Sequence, residues 1–340
     1  MARKKGKARL MKRKKAEPAV ETITLRVPAG TSYCDLSQIA SLANRRFYRQ
    51  GLVWVVESFK AFNATAATSP KSFSISKIPN TWVMSNAWHK GFAAWQKMNR
   101  EALEETESVR PRFLDFKIYM DAEHHTAGYG ANLLPAANGI VPGALATPGE
   151  WESSKIHVPS TSAPGAPFDT KEREFLAVGA NYPGAGASGF NAVSLIEGYA
   201  ASRGLPPVLD PNVPVDAADA DGVQPQNWMS ALFNEGTEQV HEVLEDMIAE
   251  NNIAPYPFEN DGVHLDTMYP GGANQLEGLQ FHDATFFNPG TFANVVGLKG
   301  GTFPCGLIKF TNGNDSAVDM LIRLVPGPHR GYLCGKMQEM

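Results

Sequence analysis

The sequence predicts an all-β dominated protein, a sandwich with helical loop insertions that follows a disordered basic arm. Short runs in which polar and apolar residues alternate recur along the chain, and this is the period of strands with one buried face. In the C-terminal third, Gly, Pro and Asn break these runs about every eight to twelve residues, a spacing typical of antiparallel sandwiches. The third observation is the cationic N-terminus, where nine of the first fifteen residues carry positive charge.

The N-terminal arm is the strongest functional signal in the sequence. Its cations are Arg3, Lys4, Lys5, Lys7, Arg9, Lys12, Arg13, Lys14 and Lys15. The 22 cations beyond the arm face 35 acidic residues, so a net charge of −4 divides into about +9 on the arm and −13 on the body. Like charges at this density repel one another and have little apolar surface to bury, which predicts disorder in residues 1–20. The arm lacks aromatic residues, so we expect it to bind phosphates without reading bases.

Bulk composition limits the classes of protein to consider. The 340 residues are 43% hydrophobic, enough for a substantial core, and we assign residues 21–340 to one domain. The three cysteines, Cys34, Cys305 and Cys334, form no metal-ligand spacing and are predicted to be small buried hydrophobes. No apolar run reaches the length of a membrane span, and the charged N-terminus lacks the apolar segment of a secretory signal.

Alternation and helical spacing predict the individual elements. Predicted strands cover 21–27, 52–62, 72–78, 112–120, 154–158, 263–269, 279–287, 292–298, 303–310 and 317–325, and predicted helices cover 35–51, 86–107 and 227–250. The first helix would carry Arg45, Arg46 and Arg49 on one face. That face is either a solvated surface paired with the acidic body or a second contact for phosphates. Trp88, Phe92 and Trp95 mark the core side of the second helix rather than a stacking platform.

The stretch GAGASG, Gly184–Gly189, satisfies the pattern of a dinucleotide-binding turn. It follows a strand-like run at 175–180 and precedes a helix-like run at 191–202, with Asp210 further on. Against this interpretation, Asn-Tyr-Pro intervenes before the first glycine and the surrounding alternation of strands and helices is missing. Nucleotide binding therefore stays a minor alternative.

Two acidic clusters resemble metal sites only superficially. Asp216, Asp219 and Asp221 precede a glycine, but the spacing fails as a calcium loop, which leaves only a loose cation site between subunits. Asp121, Glu123, His124 and His125 are expected at a strand end, where adjacent histidines point to opposite sides and chelate poorly. We predict no metal, no cofactor and no catalytic constellation, and hence a protein that is not an enzyme.

Five segments of the chain carry a resemblance to a known family: 35–51, 227–239, 269–280, 303–310 and the C-terminal 325–340. They resemble the capsid proteins of small circular single-stranded DNA viruses that encode a rolling-circle replication initiator. The resemblance implies a viral jelly-roll domain, an icosahedral shell built from copies of the chain, and packaging of single-stranded DNA through the arm. It also implies location in the virion, and in the host nucleus before assembly. The arm contains more Lys than Arg, where many such arms are Arg-dominated.

These expectations define one principal function and two alternatives. The principal one is a non-enzymatic capsid protein whose partners are single-stranded DNA, further copies of itself and a host nuclear import receptor, with no membrane. The lysine-rich runs KKGK and KRKK also satisfy the chemistry of a nuclear localisation signal. The alternatives are a nucleic-acid-binding accessory protein that never assembles, and a nucleotide-binding enzyme that uses Gly184–Gly189.

Overall fold

The computed structural model describes residues 18–63, 69–104, 114–137, 144–149, 151–160, 169–181, 183–204, 278–289 and 294–339. Strands account for 43% of these residues and helices for 22%, so the prediction of a β-dominated protein is confirmed. The predicted helix 227–250, the predicted strand 263–269 and the acidic stretch 216–221 lie outside the described residues. Within them, no helix combines the length and the apolar character needed to cross a membrane.

The elements follow one another in this order. The strands are β1 (Thr22–Val27), β2 (Gly30–Asp35), β3 (Leu52–Asn63), β4 (Lys71–Lys77), β5 (Lys155–Ser160), β6 (Asp169–Leu176), β7 (Ala192–Ser194), β8 (Gln280–Phe287), β9 (Asn294–Pro304), β10 (Leu307–Asn312), β11 (Val318–Leu324), β12 (Pro326–Gly327), β13 (Gly331–Tyr332) and β14 (Cys334–Lys336). The helices are α1 (Leu36–Asn44), α2 (Trp82–Glu104), α3 (Ala122–Ala127) and α4 (Leu195–Gly204), with short 3₁₀ turns at Tyr129–Ala131 and Met337–Glu339.

Two antiparallel sheets form the body of the protein. The first has the order β1-β11-β3-β9, and β14 extends it by pairing with the start of β3. The second has the order β2-β10-β4-β8. Four antiparallel pairs nest inside one another along the chain: β1 with β11, β2 with β10, β3 with β9 and β4 with β8. The two halves of the chain therefore pair like one long hairpin, and each half contributes strands to both sheets.

The main core lies between these sheets because each contributes one apolar face. Along β11, every second residue is buried, and this alternation turns Val318, Met320, Ile322 and Leu324 inward. Phe59 of the first sheet meets Phe310 of the second, with ring centroids 6.3 Å apart and nearly perpendicular. Aromatic pairs in this arrangement add to the free energy gained by burying their area.

The turn between β9 and β10 corrects one prediction. A single strand over 303–310 was expected, but the run is broken at Cys305 and Gly306, which have φ angles of 56° and 67°. Two consecutive positive φ values suit a tight two-residue hairpin, because the twist of such a turn matches that of the strands. The prediction was wrong because this Cys adopts a backbone conformation that its residue type seldom indicates. Cys305 and Cys34 are buried, as expected, and Cys334 is partly buried.

The long connection between β4 and β8 carries a second layer. There β6 pairs with β5 in antiparallel fashion and with β7 in parallel fashion. Helices α2 and α4 contact each other, and their apolar residues share one core with this small sheet. Trp88 and Trp95 lie in that core with Phe116 and Phe175, as the core interpretation of the tryptophans predicts.

Two further expectations need correction. Helix α1 ends at Asn44 rather than near Gly51, because Arg45 adopts the left-handed conformation with φ of 52° and its N–H closes on the Ser41 carbonyl. In the segment predicted as a strand over 112–120, the described residues 114–118 form no strand, and Tyr119 makes only an isolated parallel bridge with Leu176.

Candidate nucleic-acid interface

The predicted phosphate-binding cations, Arg3 to Lys15, lie outside the described residues, so the structure says nothing of their placement. The structure does describe residues 18–20, which join the arm to the body. The described chain begins at Pro18, and Val20 lies two residues before the first strand. The surroundings of these residues therefore define which part of the body lies nearest to the arm.

The backbone of Val20 is held by two side chains. Its N–H donates to Oδ1 of Asn44 at 2.9 Å, and its carbonyl accepts from the Tyr332 hydroxyl at 2.7 Å. Asn44 Nδ2 in turn donates to the Tyr332 hydroxyl at 2.7 Å. Tyr332 is 1% exposed and packs against Tyr48 and Trp54 in the main core. The root of the arm is thus tied to the rigid sandwich by a closed set of hydrogen bonds.

Four arginines closely follow Asn44 or precede Tyr332 in the chain, and we call them the arginine surface: Arg45, Arg46, Arg49 and Arg330. Arg46 donates to the Pro18 carbonyl at 3.1 Å, and Arg330 donates to the Phe47 carbonyl. The side chains of Arg45, Arg49 and Arg330 are exposed. Arginine presents a rigid fork of donors that matches phosphate oxygens, so this surface has the chemistry of a nucleic-acid backbone contact.

The positive potential of this surface acts on a neighbouring histidine. Burial lowers the pKa of His329 below its usual value, and the charges of Arg330 and Arg49 lower it further. Among the described residues, no carboxylate lies within 4 Å of Arg45, Arg49 or Arg330. The expectation that these arginines lie on a helix face was wrong, since Arg45, Arg46 and Arg49 follow the end of α1. The exposed side chains fit both interpretations given for them, a solvated surface and a second contact for phosphates.

The predicted cluster around Asp121 is a helix terminus rather than a strand end. Asp121 caps α3 by accepting from the His124 N–H at 2.8 Å. His124 is fully buried, accepts at Nδ1 from the Met120 N–H, and pairs through Nε2 with Asn132. Burial lowers the pKa of His124 to about 4, so it is neutral at physiological pH. Its hydrogen bonds fix a single tautomer, and the residue serves the fold.

His125 and Glu174 form a separate buried pair. His125 Nε2 lies 2.7 Å from Glu174 Oε2, and each side chain is 1% exposed. Ser153 and Ser188 also donate to the same carboxylate. Burial alone would raise the pKa of Glu174, but the hydrogen bonds from His125, Ser153 and Ser188 outweigh it and hold the pKa below its ordinary value. Both serines donate to Glu174 rather than to His125, so the described group lacks the nucleophile–base hydrogen bond of a triad. No group of three or more metal-ligating side chains occurs within the described part of the chain.

The glycine-rich stretch 184–189 has a different geometry from a dinucleotide-binding turn. It leads into β7 and only then into α4, so no helix N-terminus points at it. Gly186 lies against His125: a Cβ at this position would be 2.5 Å from the His125 carbonyl oxygen. A pocket of about 340 Å³ lies beside the stretch, lined in part by Ser188 and Glu174. The ionised Glu174 carboxylate would repel a phosphate there, so the chemistry opposes nucleotide binding.

Two features were missed by the sequence analysis. One is a pocket of about 320 Å³ beside the arginine surface, whose lining includes Arg49, Trp88 and Asp115. The other is a pair of exposed aromatic side chains on β8, Phe281 and Phe286, which are 62% and 61% exposed. The pocket joins segments far apart in sequence, so no local pattern indicates it.

Comparison with known proteins gave no match to a family model, to a curated protein or to a solved structure.

Proposed function

We propose that this protein is a viral capsid subunit that assembles into a closed icosahedral shell and packages single-stranded DNA through its basic arm. It acts as a structural protein without catalytic activity. Its partners are the nucleic acid, further copies of the chain and, before assembly, a host nuclear import receptor. It resides in the virion and in the host nucleus before assembly.

The observation that carries the proposal is the order of the strands. When the eight strands of the four nested pairs are numbered along the chain, without β14, the two main sheets read 1-8-3-6 and 2-7-4-5. Strands one to four pair in turn with strands eight to five. This strand order supports the proposal of a jelly roll, in which a long hairpin is rolled over two sheets, and viral capsid subunits are among the proteins that use that architecture.

The position of the arm adds a second line of support. Lectin and cupin domains share jelly-roll architecture, so the fold alone does not choose among functions. Here the sequence that precedes the first strand carries nine cations, and the arginine surface lies where this arm joins the body. Arm and surface both carry cations that suit a phosphate backbone. The body as a whole is acidic, which disfavours binding of free strands to the rest of its surface.

The outer face of the second sheet supports assembly. The pairing of β4 with β8 shifts register between Ile75 and Ser76, where His282 is the additional residue on β8. This bulge changes the alternation, so that Phe281 and Phe286 both stand opposite serines on the solvent side of β4. Two large exposed aromatic side chains on one sheet face have the character of a subunit contact.

The decisive experiment compares the full chain with a variant that lacks Met1–Lys15. We expect the full chain to form closed shells that contain nucleic acid, as seen by electron microscopy and by the ratio of absorbance at 260 and 280 nm. The shortened chain should still form shells or partial shells, but without nucleic acid. Monomers alone at all salt concentrations and pH values would overturn the proposal.

The same experiment distinguishes a capsid protein from the principal alternative. A nucleic-acid-binding accessory protein would bind DNA through the arm but remain a small oligomer with and without residues 1–15. Light scattering under both conditions distinguishes that outcome from a shell. Fusion of the arm to a fluorescent protein would test nuclear import separately, since the arm is exposed for a receptor only before assembly.

A further inference from the structure

A pocket of about 320 Å³ opens next to the arginine surface. Helix α2 forms one side through Trp88 and Phe92, and residues 114–116 form another. The C-terminal residues 336–338 close the third side. The volume falls at the lower end of the range for small-molecule sites, which suits a ligand of one or two rings.

The pocket has an aromatic wall. Trp88 and Phe92 are stacked, with centroids 4.9 Å apart and planes 20° from parallel. Phe116 adds a tilted ring 5.7 Å from Phe92. Trp88 is held in place by Gly51, because a Cβ at residue 51 would lie 2.6 Å from the indole ring. Phe92 is only half-buried, so part of this wall faces the open pocket and offers a surface for another ring.

Two buried polar atoms at the pocket have no partner among the described residues. Asp115 accepts the Gln50 N–H at one oxygen, at 3.1 Å, but its other oxygen, Oδ2, accepts nothing. The indole N–H of Trp88, a residue only 5% exposed, also lacks an acceptor. Buried polar groups are almost always paired, and an unpaired one lowers stability. Both residues line the pocket, so a ligand there would bring donor and acceptor groups next to them.

The rim of the pocket is cationic. Arg49 and Lys336 both line it and both are exposed. Arg49 lies three residues after Arg46, whose side chain donates to the Pro18 carbonyl at the arm root. The pocket therefore opens within about 11 Å of chain from that anchor. A strand held by the arm would therefore pass over the pocket with its phosphates beside these two cations.

We infer that this pocket receives one base of a bound single-stranded nucleic acid. The base stacks on Phe92 beside Trp88, donates a ring or amino N–H to Asp115 Oδ2, and leaves its phosphate at Arg49 and Lys336. The inference rests on the proposed function, since it adds a base contact to a protein whose arm contacts phosphates only. All four bases carry at least one N–H donor on their pairing edge, so the pocket detects the presence of a base rather than its identity.

The charge of the lining favours a nucleotide over a protein side chain as the occupant. An aliphatic or phenylalanine side chain from another copy would pack on the aromatic wall but leave Asp115 Oδ2 unpaired, and a tryptophan or tyrosine would leave the cations of the rim without an anion. A lysine would pair with Asp115 but would be repelled by Arg49 and Lys336. A base attached to a phosphate satisfies the aromatic, acceptor and cationic parts together.

The test uses the full chain below the concentration at which it assembles. Fluorescence anisotropy would measure its affinity for a thymidine oligomer, for an abasic oligomer with the same number of phosphates, and for an oligomer of N3-methylthymidine, which lacks the ring N–H. We expect the thymidine oligomer to bind about tenfold more tightly than the abasic one, because stacking of a base contributes on this order. The methylated oligomer should fall between them. A uridine oligomer reports whether RNA is accepted equally.

Two variants and a matched control locate the effect. Phe92→Ala should bring the affinities for the thymidine and abasic oligomers together without weakening the abasic one. Asp115→Asn should remove the difference between the thymidine and methylated oligomers. Phe281→Ala, which changes an exposed aromatic side chain on β8, should leave both differences intact.

The outcomes separate the pocket from the arm. Equal affinity of the full chain for the thymidine and abasic oligomers would overturn the inference, and so would a base preference that survives both pocket variants. A pocket filled by another copy would show itself as variants that alter assembly while no base preference exists. Loss of binding to the abasic oligomer on deletion of Met1–Lys15 tests only the arm, so the proposed function can stand if the pocket fails.

Discussion

Asn44 and Tyr332 are 288 residues apart in the sequence, yet they hold the two polar groups of one backbone unit, the N–H and carbonyl of Val20. Asn44 closes α1, and Tyr332 belongs to the short hairpin after β11. The segment that precedes the first strand is therefore fixed by side chains that reach into the main core. Any load carried by the arm therefore passes directly to the sandwich.

The first prediction concerns this anchor. Tyr332→Phe removes the hydroxyl that donates to the Val20 carbonyl and accepts from Asn44, whereas Asn44 keeps its hydrogen bond to the Ala40 carbonyl. We expect the free energy of unfolding to fall by about 1 kcal/mol, the net contribution of a hydrogen bond between partly exposed groups. Denaturant titration followed by tryptophan fluorescence would measure it. Asp315→Asn, at an exposed carboxylate, is the control and should change stability by less than about 0.5 kcal/mol. Equal midpoints for Tyr332→Phe and the native protein would contradict the role of the anchor.

The second prediction concerns the arginine surface. Replacing Arg45, Arg49 and Arg330 together by Gln should weaken binding of single-stranded DNA and reduce the slope of log affinity against log salt by about 2, because three phosphate contacts are lost. The measurement is a salt series of filter-binding or anisotropy titrations. A charge-matched control replaces the exposed Lys60, Lys171 and Lys299 by Gln. The control should keep the native slope, and the same slope change in both triple variants would show that only net charge matters.

The third prediction concerns Asp115, whose Oδ2 atom has no hydrogen-bond partner among the described residues. Burial, with a smaller contribution from Asp35, raises the pKa of Asp115 to about 6, although Lys117 and Arg49 oppose the shift. Because the folded pKa lies above the unfolded value of 3.8, ionisation disfavours the folded state as pH rises from about 4 to 6, and the full cost remains at higher pH. Asp115→Asn should therefore raise the free energy of unfolding by about 1–2 kcal/mol at pH 8 and by almost nothing at pH 4. A gain of the same size at both pH values would contradict the assignment.

A secondary-structure element can be predicted from the sequence when the residues that determine it lie close together in the chain. The strand predicted over 317–325 matches β11 closely, because one buried face imposes a period of two on the chain. The strand predicted over 279–287 matches the bounds of β8, although only Phe287 of that strand is buried. The end of α1 could not be predicted, since Arg45 adopts a positive φ that Asn or Gly would have indicated. The bulge at His282 also escaped the pattern, because it shifts the alternation by one residue.

The candidate site follows the same division. The charge of the arm is a local property of composition and is visible at once. The arginine surface needed the fold, because Arg330 joins Arg45 and Arg49 only through the hairpin after β11. The pocket needed it even more, since its lining comes from four separate stretches of the chain. Sequence alone showed Trp88 and Phe92 as a helix face, and their open side became apparent only when the C-terminal residues were in place.

The fourth prediction separates a packing role from a nucleotide-binding role for the glycine-rich stretch. Gly186→Ala should destabilise the protein by about 1–3 kcal/mol, because the added Cβ meets the backbone and ring of His125. Gly130→Ala is the matched control, since a Cβ there has no neighbour within 4 Å among the described residues. Thermal denaturation of both variants gives the comparison. A change of Gly186 to Val is a poor probe of nucleotide binding, because the same collision would weaken the fold whether or not a nucleotide binds.

The fifth prediction concerns the aromatic pair on β8. Phe281 and Phe286 lie on the outer face of the second sheet because of the bulge, so neither contributes to the core. Replacing both by Ser should leave thermal stability within about 0.5 kcal/mol of native, since exposed side chains away from special features contribute little. It should nevertheless reduce assembly strongly, because large aromatic groups dominate subunit contacts.

Light scattering and electron microscopy of this double variant, beside Leu145→Ser, would decide the matter. Leu145 is 55% exposed and lies outside the sheet, so its variant controls for a general loss of surface apolar area. Shells formed by Leu145→Ser and small oligomers formed by the double variant would place a subunit contact at β8. Normal shells from the double variant would move the contact elsewhere on the body, whereas monomers from both variants would mean that assembly responds to surface hydrophobicity in general.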